Sequence, residues 1–448
     1  MNTALLQGLE RIHSEPGGIP VAALERAKIS LIYNLGLARA FTRTRPVRLA
    51  HDLVIASHGE LASPSAATLL ASGKKTSAAG AAFANSAALS SGGRGDTLGT
   101  IHIGQVVTPA LLALSEAREI DSSRLLSALV TGYEIGGRLD SRFGKEAANR
   151  GFRSTPIFGA PSAAAACASL LALAPERMCA AMHIATCMTG GLLQPFEDGS
   201  EETIVQSGHA SQLGLIAALS AEAGMKGAAG AMSGRVGLLQ MFSSDPSDYE
   251  EIFSDIGENW VIHETTYKPF PVCAFAQTPV YAGMGLSAEV EPEDIAELEV
   301  RMNPREAGYA GLDFTGPFQT ATETTMSAAF AVAYSLVHAG PVASRSLLEF
   351  DNPDVTEVLS VTSVLADDAV PPLSTVLKVR LKDGSSVEHR KLMSPADYSF
   401  ELEEVAKMVR SNFEIAKDSE RLEDGFEAFL TRSSDHVDVA DVMEFFAP

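Results

Sequence analysis

The chain has few cysteines, few basic residues and no long apolar run, and each shortage removes a class of function. Its 448 residues contain four cysteines, Cys167, Cys179, Cys187 and Cys273, in no CxxC arrangement. A chain of this length needs no disulfide staple, so they read as reduced thiols. Lys and Arg total 34 against 56 Asp and Glu, a net charge of −22. That balance argues against nucleic acid or an anionic membrane as the main partner. The longest nearly apolar stretch, Ala163 to Ala174, is interrupted by Ser169 and stopped by Pro175, short of the roughly 20 residues of a bilayer span. Met1 to Glu10 has no basic residue leading into an apolar stretch, so no secretory signal is expected and a cytoplasmic address follows. There is no GxGxxG, GxxxxGK[ST], HExxH or GxSxG, and no Cys/His cluster with zinc spacing. Nucleotide cofactors, zinc and serine hydrolysis therefore have no support.

What is present is apolar material whose texture changes along the chain. The sequence is 46% hydrophobic, ample for two or three domains at about 150 residues each. From Val21 to Gly224, Ala, Leu, Ser and Gly at helical spacing predict a bundle. Its helices include Pro161 to Ala174, Arg177 to Met188 and Gln206 to Ala223, the last turning Leu213, Ile216, Ala217 and Leu219 to one side. After Trp260, Ile295 to Met302 alternates with Ala296, Leu298, Val300 and Met302 on one face, and Val376 to Lys382 with Leu377, Val379 and Leu381 inward. Asp383-Gly384 supplies a hairpin turn and Ser386 to Leu392 returns antiparallel. Helical patterns at Ala274 to Leu286 and Thr322 to His338 lie between these strands, and Phe400 to Phe446 is helical again. The expected fold is mainly α: a large helical-bundle domain of residues 1–266 and 396–448, with an inserted, smaller α+β lid domain of residues 267–395.

Polar residues set in small apolar segments are the candidate chemistry. Arg94, Asp96 and Thr97 follow a glycine turn, and His102 stands just before a helix whose N-terminus favours anions. Asp96 or Thr97 is placed to orient that imidazole. Tyr133 offers a phenol inside a helix, Arg153 suits bidentate carboxylate binding, and His209 sits in a first helical turn. Lys268, before Pro269 and between Tyr267 and Phe270, meets the condition for an amine base, because burial lowers a lysine's pKa. Each residue also has a plain structural reading as a turn cap, a core side chain or a solvated surface charge.

Taken in order, several segments resemble the MmgE/PrpD family, which includes 2-methylcitrate dehydratase and cis-aconitate decarboxylase. Asn85 with Asp96-Thr97 and His102-Ile103-Gly104 resembles its "N…DDT…HPG", Gly132-Tyr133-Glu134 its "GYE", and Gly151-Phe152-Arg153-Ser154-Thr155 its "GFHPT". Glu197-Asp198-Gly199-Ser200 through Gly208-His209-Ala210 resembles "EDGS…GxA", Gly234-Arg235-Val236-Gly237 "EGxxG", and Lys268-Pro269-Phe270-Pro271-Val272-Cys273 "KPYPxC". The resemblance implies a helical domain with an inserted lid, a homodimer, no cofactor, and a site between the domains for a small dicarboxylate or tricarboxylate. Asp96, Thr97, His102 and Lys268 are the positions it carries over.

The departures have their own meaning. Arg153 stands where the pattern has a histidine, Thr203-Ile204-Val205-Gln206 replaces "KRLH", and Ala274-Phe275-Ala276-Gln277 lacks a histidine. Losing a titrating histidine favours proton removal and return over elimination, and the chain resembles most the iminodisuccinate epimerase branch. The leading expectation is a cofactor-independent epimerase of an amino- or imino-dicarboxylate. In it Lys268 and Tyr133 are opposed acid and base, His102 substitutes for either, and Arg153 and Arg94 bind carboxylates. The alternatives are a dehydratase, a cis-aconitate-type decarboxylase, or a dicarboxylate-binding protein without catalysis.

Overall fold

A computed structural model describes residues 3–14, 18–42, 44–243, 249, 251–413, 419–432 and 437–446. The fold is mainly α. Among the described residues nine helices longer than ten residues come first: α1 (Thr3–Ser14), α2 (Val21–Phe41), α3 (Arg45–His58), α4 (Ala78–Ser90), α5 (Gly104–Arg118), α6 (Leu125–Asn149), α7 (Ser154–Leu170), α8 (Pro175–Thr186) and α9 (Thr203–Glu222), with a small hairpin of β1 (Ala66–Thr68) and β2 (Lys75–Ser77) after α3. Small residues let these helices touch almost backbone to backbone. A Cβ on Gly214 of α9 would lie 2.4 Å from that of Ala163 on α7, and one on Gly208 would lie 2.8 Å from the Phe83 carbonyl oxygen on α4. Any side chain there would force the helices apart.

Two helix expectations shift. The helix expected over Pro161 to Ala174 begins at Ser154 and ends at Leu170, with Pro161 inside it. It stops short of Pro175 because Ala172 adopts φ 53° and the Leu173 amide turns back to the Ala168 carbonyl at 3.0 Å, a left-handed C-terminal cap. On α9, Ile216 is 42% exposed; the inward face is Ala210, Leu213, Gly214, Ala217 and Ala221.

Residues from Phe270 to Val379 gather round a core of their own. It contains α10 (Gln277–Leu286), β3 (Ile295–Met302), α11 (Ala321–Met326), α12 (Ala328–Val337), α13 (Pro353–Ser360), β4 (Thr362–Ala366), β5 (Thr375–Leu381) and β6 (Ser386–Lys391). The strands order as β4-β3-β5-β6, β3 and β4 parallel and the other pairs antiparallel. The Asp383-Gly384 hairpin forms where the sequence places it, with Gly384 at φ 88° and the Ser385 amide held by Asp383 Oδ1 at 2.8 Å. In β3 the buried face is Ile295, Leu298, Val300 and Met302, not Ala296, because a register shift between Ile295 and Glu297 flips the first residues. The pattern at Thr322 to His338 is two helices, broken at Ser327, whose hydroxyl caps α12 by accepting the Phe330 amide at 2.9 Å.

The chain then returns to the helical body through α14 (Leu402–Phe413), α15 (Ser419–Arg432) and α16 (Val439–Phe446); residues 414–418 and 433–436 of the expected Phe400 to Phe446 helical stretch lie outside the described residues. At the junction a third cluster joins Ile29, Tyr33 and Leu37 of α2 to Tyr267 and Val405. Among the described residues no helix is long and apolar enough to cross a membrane.

Candidate active site

The loop between α4 and α5 carries much of the site, and three ties fix it. Gln105 Nε2 donates to the Arg94 carbonyl at 2.8 Å. Asp140 accepts from both the amide and the hydroxyl of Thr100 at 2.7 Å. Thr97 and Thr266 exchange amide-to-carbonyl bonds of 2.8 Å in both directions. Gly93, at φ 67°, has no room for a side chain, since a Cβ would sit 2.4 Å from the Pro271 carbonyl oxygen.

With the loop so held, His102 enters just before α5, its Nδ1 2.9 Å from the main-chain carbonyl oxygen of Asp96. A carbonyl only accepts, so Nδ1 carries the proton and Nε2 remains as an acceptor. Burial, and then the charge of Lys268, hold this imidazole well below its ordinary pKa. It is neutral at pH 7.

Three cations stand near it. Lys268 is 5% exposed and its Nζ donates to the Gly93 carbonyl at 2.7 Å. Burial, reinforced by Arg94 and Arg153 and opposed by Cys273 and Asp96, pushes it down to about 8. Arg153, at the start of α7, donates from Nη1 to the Thr203 carbonyl at 2.6 Å and to Gln206 Oε1 at 3.2 Å. Its guanidinium lies 5.4 Å from the centre of the Phe196 ring; burial lowers it to about 10, which leaves it charged at neutral pH. Arg94 is buried, with no hydrogen-bond partner for Nε or Nη1. None of the three forms an ion pair among the described residues, although each has been stripped of most of its water.

All four side chains line one cavity of about 1070 Å³ between the helical body and the α+β unit. The α+β unit contributes Cys273, Phe275, Tyr309 and Thr325, and the body contributes Gln105 and Thr155. Asp198, Glu201 and Glu202 also line it but are exposed, and Glu201 is engaged by Arg45 at 2.5 Å. The mouth is laced where the Thr320 and Thr322 hydroxyls donate to the Gly199 and Ser200 carbonyls at 2.8 and 3.2 Å. The cavity thus has an acidic, exposed rim and a cationic floor of buried side chains.

Four sequence candidates do not reach this wall. Tyr133 is fully buried in α6 and donates its hydroxyl to Asp96 Oδ2, so it does not oppose Lys268 across the cavity. Asp96 is itself enclosed; burial raises its carboxyl to about 6 against the bonds from Tyr133 and Asn34, and it orients His102 through its carbonyl rather than its carboxylate. Thr97 spends its hydroxyl on Thr266 Oγ1 at 2.7 Å. His209 is exposed on α9, away from the cavity, because its helical position turns it to the outer face. Tyr133→Phe leaves a buried carboxyl short of a donor and is expected to cost ~1–3 kcal/mol of stability. Urea unfolding measures that loss; steady-state kinetics should show a smaller fall in kcat than any substitution of Lys268 causes.

The profile of the MmgE/PrpD N-terminal domain matches residues 13–250, more than half of the chain. The chain belongs to the MmgE/PrpD family. Its relatives include the cis-aconitate decarboxylase of Aspergillus terreus, 29% identical over 278 residues, which are 59% of this chain and 56% of that protein. A cis-aconitate decarboxylase-like protein of Aspergillus oryzae is 33% identical over 174 residues, 36% of each chain. The chain thus spans about half the length of the first relative and about a third of the second. The MmgE/PrpD match contains Arg94, His102 and Arg153 but ends before Lys268, so the cavity joins the family's domain to residues beyond it. Sequence reasoning missed Tyr309 and Cys273 on the wall, and Gln206 behind Arg153. Tyr309 follows a single helical turn, Pro304–Ala307, too short to give a periodic signal. Gln206 was legible only as part of Thr203-Ile204-Val205-Gln206, the stretch that replaces the pattern's "KRLH".

Proposed function

We propose that the protein is a cofactor-independent lyase acting on a small tricarboxylate or dicarboxylate, with decarboxylation of the cis-aconitate type as its first reaction to test. The observation that supports this most is the set of buried cations Arg94, Arg153 and Lys268 on one cavity with no ion-pair partner among the described residues. Buried charge without a counterion is costly, and a substrate with two or three carboxylates offsets that cost. The names of the relatives favour decarboxylation over the epimerase reading of the sequence.

In this scheme Arg153 and Arg94 hold carboxylates and stabilise the negative charge that develops on the carbon skeleton. The α+β unit acts as a lid that keeps water out. In decarboxylation the bond between the skeleton and one carboxylate breaks, carbon dioxide leaves, and the electron pair stays on carbon. Lys268, mostly an ammonium at pH 7, delivers a proton there and is reprotonated from solvent. In dehydration, neutral His102 takes the α-proton at Nε2 while Lys268 protonates the departing hydroxyl. The same neutral base and charged acid also favour a second reading, epimerisation by proton removal and return. The family resemblance adds a homodimer, which mass in solution measures.

The test offers cis-aconitate, a β-hydroxy tricarboxylate and resolved iminodisuccinate in deuterated water. Carbon dioxide with one deuterium per product is the expected result for the first. A rise in ultraviolet absorbance from the second identifies a dehydratase, and racemisation with exchange but no gas identifies an epimerase. Thermal stabilisation by all three without turnover would leave only a binding protein.

A further inference from the structure

Tyr33, in the middle of α2, is fully buried, and its hydroxyl meets both main-chain polar groups of Lys268. It donates to the Lys268 carbonyl at 2.9 Å and accepts from the Lys268 amide at 3.0 Å. Lys268 belongs to no helix or strand, so ordinary secondary structure does not satisfy these groups, and buried backbone groups need partners. The neighbouring residue is held by the same helix. The Tyr267 ring packs edge-on against Tyr33 with centres 5.0 Å apart, and the Tyr267 hydroxyl lies 3.0 Å from Ser30 Oγ. Ser30 and Tyr33 are one turn apart on α2 and share a face. Two consecutive residues of the junction are thereby fixed to the helical body, while the tip of Lys268 is fixed by the Gly93 carbonyl.

We propose that Tyr33 is a positioning residue, whose hydroxyl grips the amide and carbonyl of Lys268 together and so sets the line along which the ammonium enters the cavity. The inference rests on the reading of Lys268 as the proton donor. Around that ammonium stand Arg94, Arg153, His102, Asp96 and Cys273. Its acidity depends on staying buried among them, and a displacement of about 1 Å at a reacting group can cost 10²-fold in rate.

Tyr33→Phe keeps the ring contact and removes only the hydroxyl. The expected result is a fall in kcat on the order of 10- to 100-fold with KM nearly unchanged. The decisive readout is independent of turnover: the pH midpoint for amine labelling of Lys268, followed by peptide mass spectrometry. It should rise from about 8 toward the 10.5 of an ordinary lysine. Thr186→Val, which also loses a buried hydroxyl but one bonded within its own helix to the Met182 carbonyl, should leave that midpoint in place. A Tyr33→Phe midpoint equal to the parent's would overturn the proposal. Should that variant not fold, amide exchange at Lys268 in the parent decides: protection supports the grip, and exchange at the rate of open chain refutes it. A midpoint that moves while Lys268→Ala still turns over supports the positioning role and removes the lyase reading instead.

Discussion

Replacing Lys268 with alanine is expected to lower kcat by about 10²- to 10⁴-fold, the range supplied by a positioned proton donor. The fold should persist, because the substitution removes a buried cation from beside two others. The pH profile carries the same assignment. Lys268 acts as the acid only while protonated, and its pKa is near 8, so kcat/KM falls as pH rises through about 8. Decarboxylation needs no base; in dehydration or epimerisation His102 acts as the base only while neutral, with its pKa well below the ordinary value, which adds an acid limb below pH 6.5 and an optimum between the two limbs. A profile that stays level from pH 7 to 10 would take the donor role away from Lys268.

Arg94→Met is expected to strengthen the fold and weaken the function. The guanidinium is 6% exposed, and Nε and Nη1 have no partner. A methionine of similar length removes the desolvated charge without opening much space, worth roughly 1–3 kcal/mol of stability, or a few degrees in Tm for a chain of this size. Substrate loses one of its counterions, a cost of about 2–5 kcal/mol, so KM rises roughly 30-fold or more. Calorimetry with and without a tricarboxylate separates the two effects. The ligand-free variant should melt above the parent and gain less from ligand. A variant less stable than the parent, with KM unchanged, would mean that Arg94 serves the fold.

How much of this was legible from the residues depended on the range of the interaction. Asp383-Gly384 announced its hairpin because the turn is local, and β3 and β5 showed their alternation. β4 gave no such signal: Thr362, Ser363 and Val364 are all partly buried and Leu365 and Ala366 exposed, with no alternation, and their partner β3 lies some sixty residues earlier. His102 and Lys268 were recognisable from their neighbours, a helix start in one case and a proline-flanked apolar crowd in the other. Tyr133 was misread because periodicity tells which side of a helix is buried, not what a buried hydroxyl meets. The acceptor was Asp96, thirty-seven residues away. Arg94 was legible as a cation beside the glycine turn, but the lack of partners for its Nε and Nη1 is a three-dimensional fact.

The hold of Thr203 and Gln206 on Arg153 ties two distant stretches of sequence into one working unit. In the family pattern the chain resembles, a histidine occupies the position of Arg153 and a lysine lies in the stretch corresponding to Thr203 to Gln206. Here the permanent charge sits ahead of α7 and the start of α9 supplies only acceptors. A lysine returned to that stretch alone would crowd a second cation against the guanidinium. A histidine returned to position 153 alone would leave the acceptors idle and the cavity one charge short. Either substitution alone is expected to impair the pocket, so the two positions work as a combination.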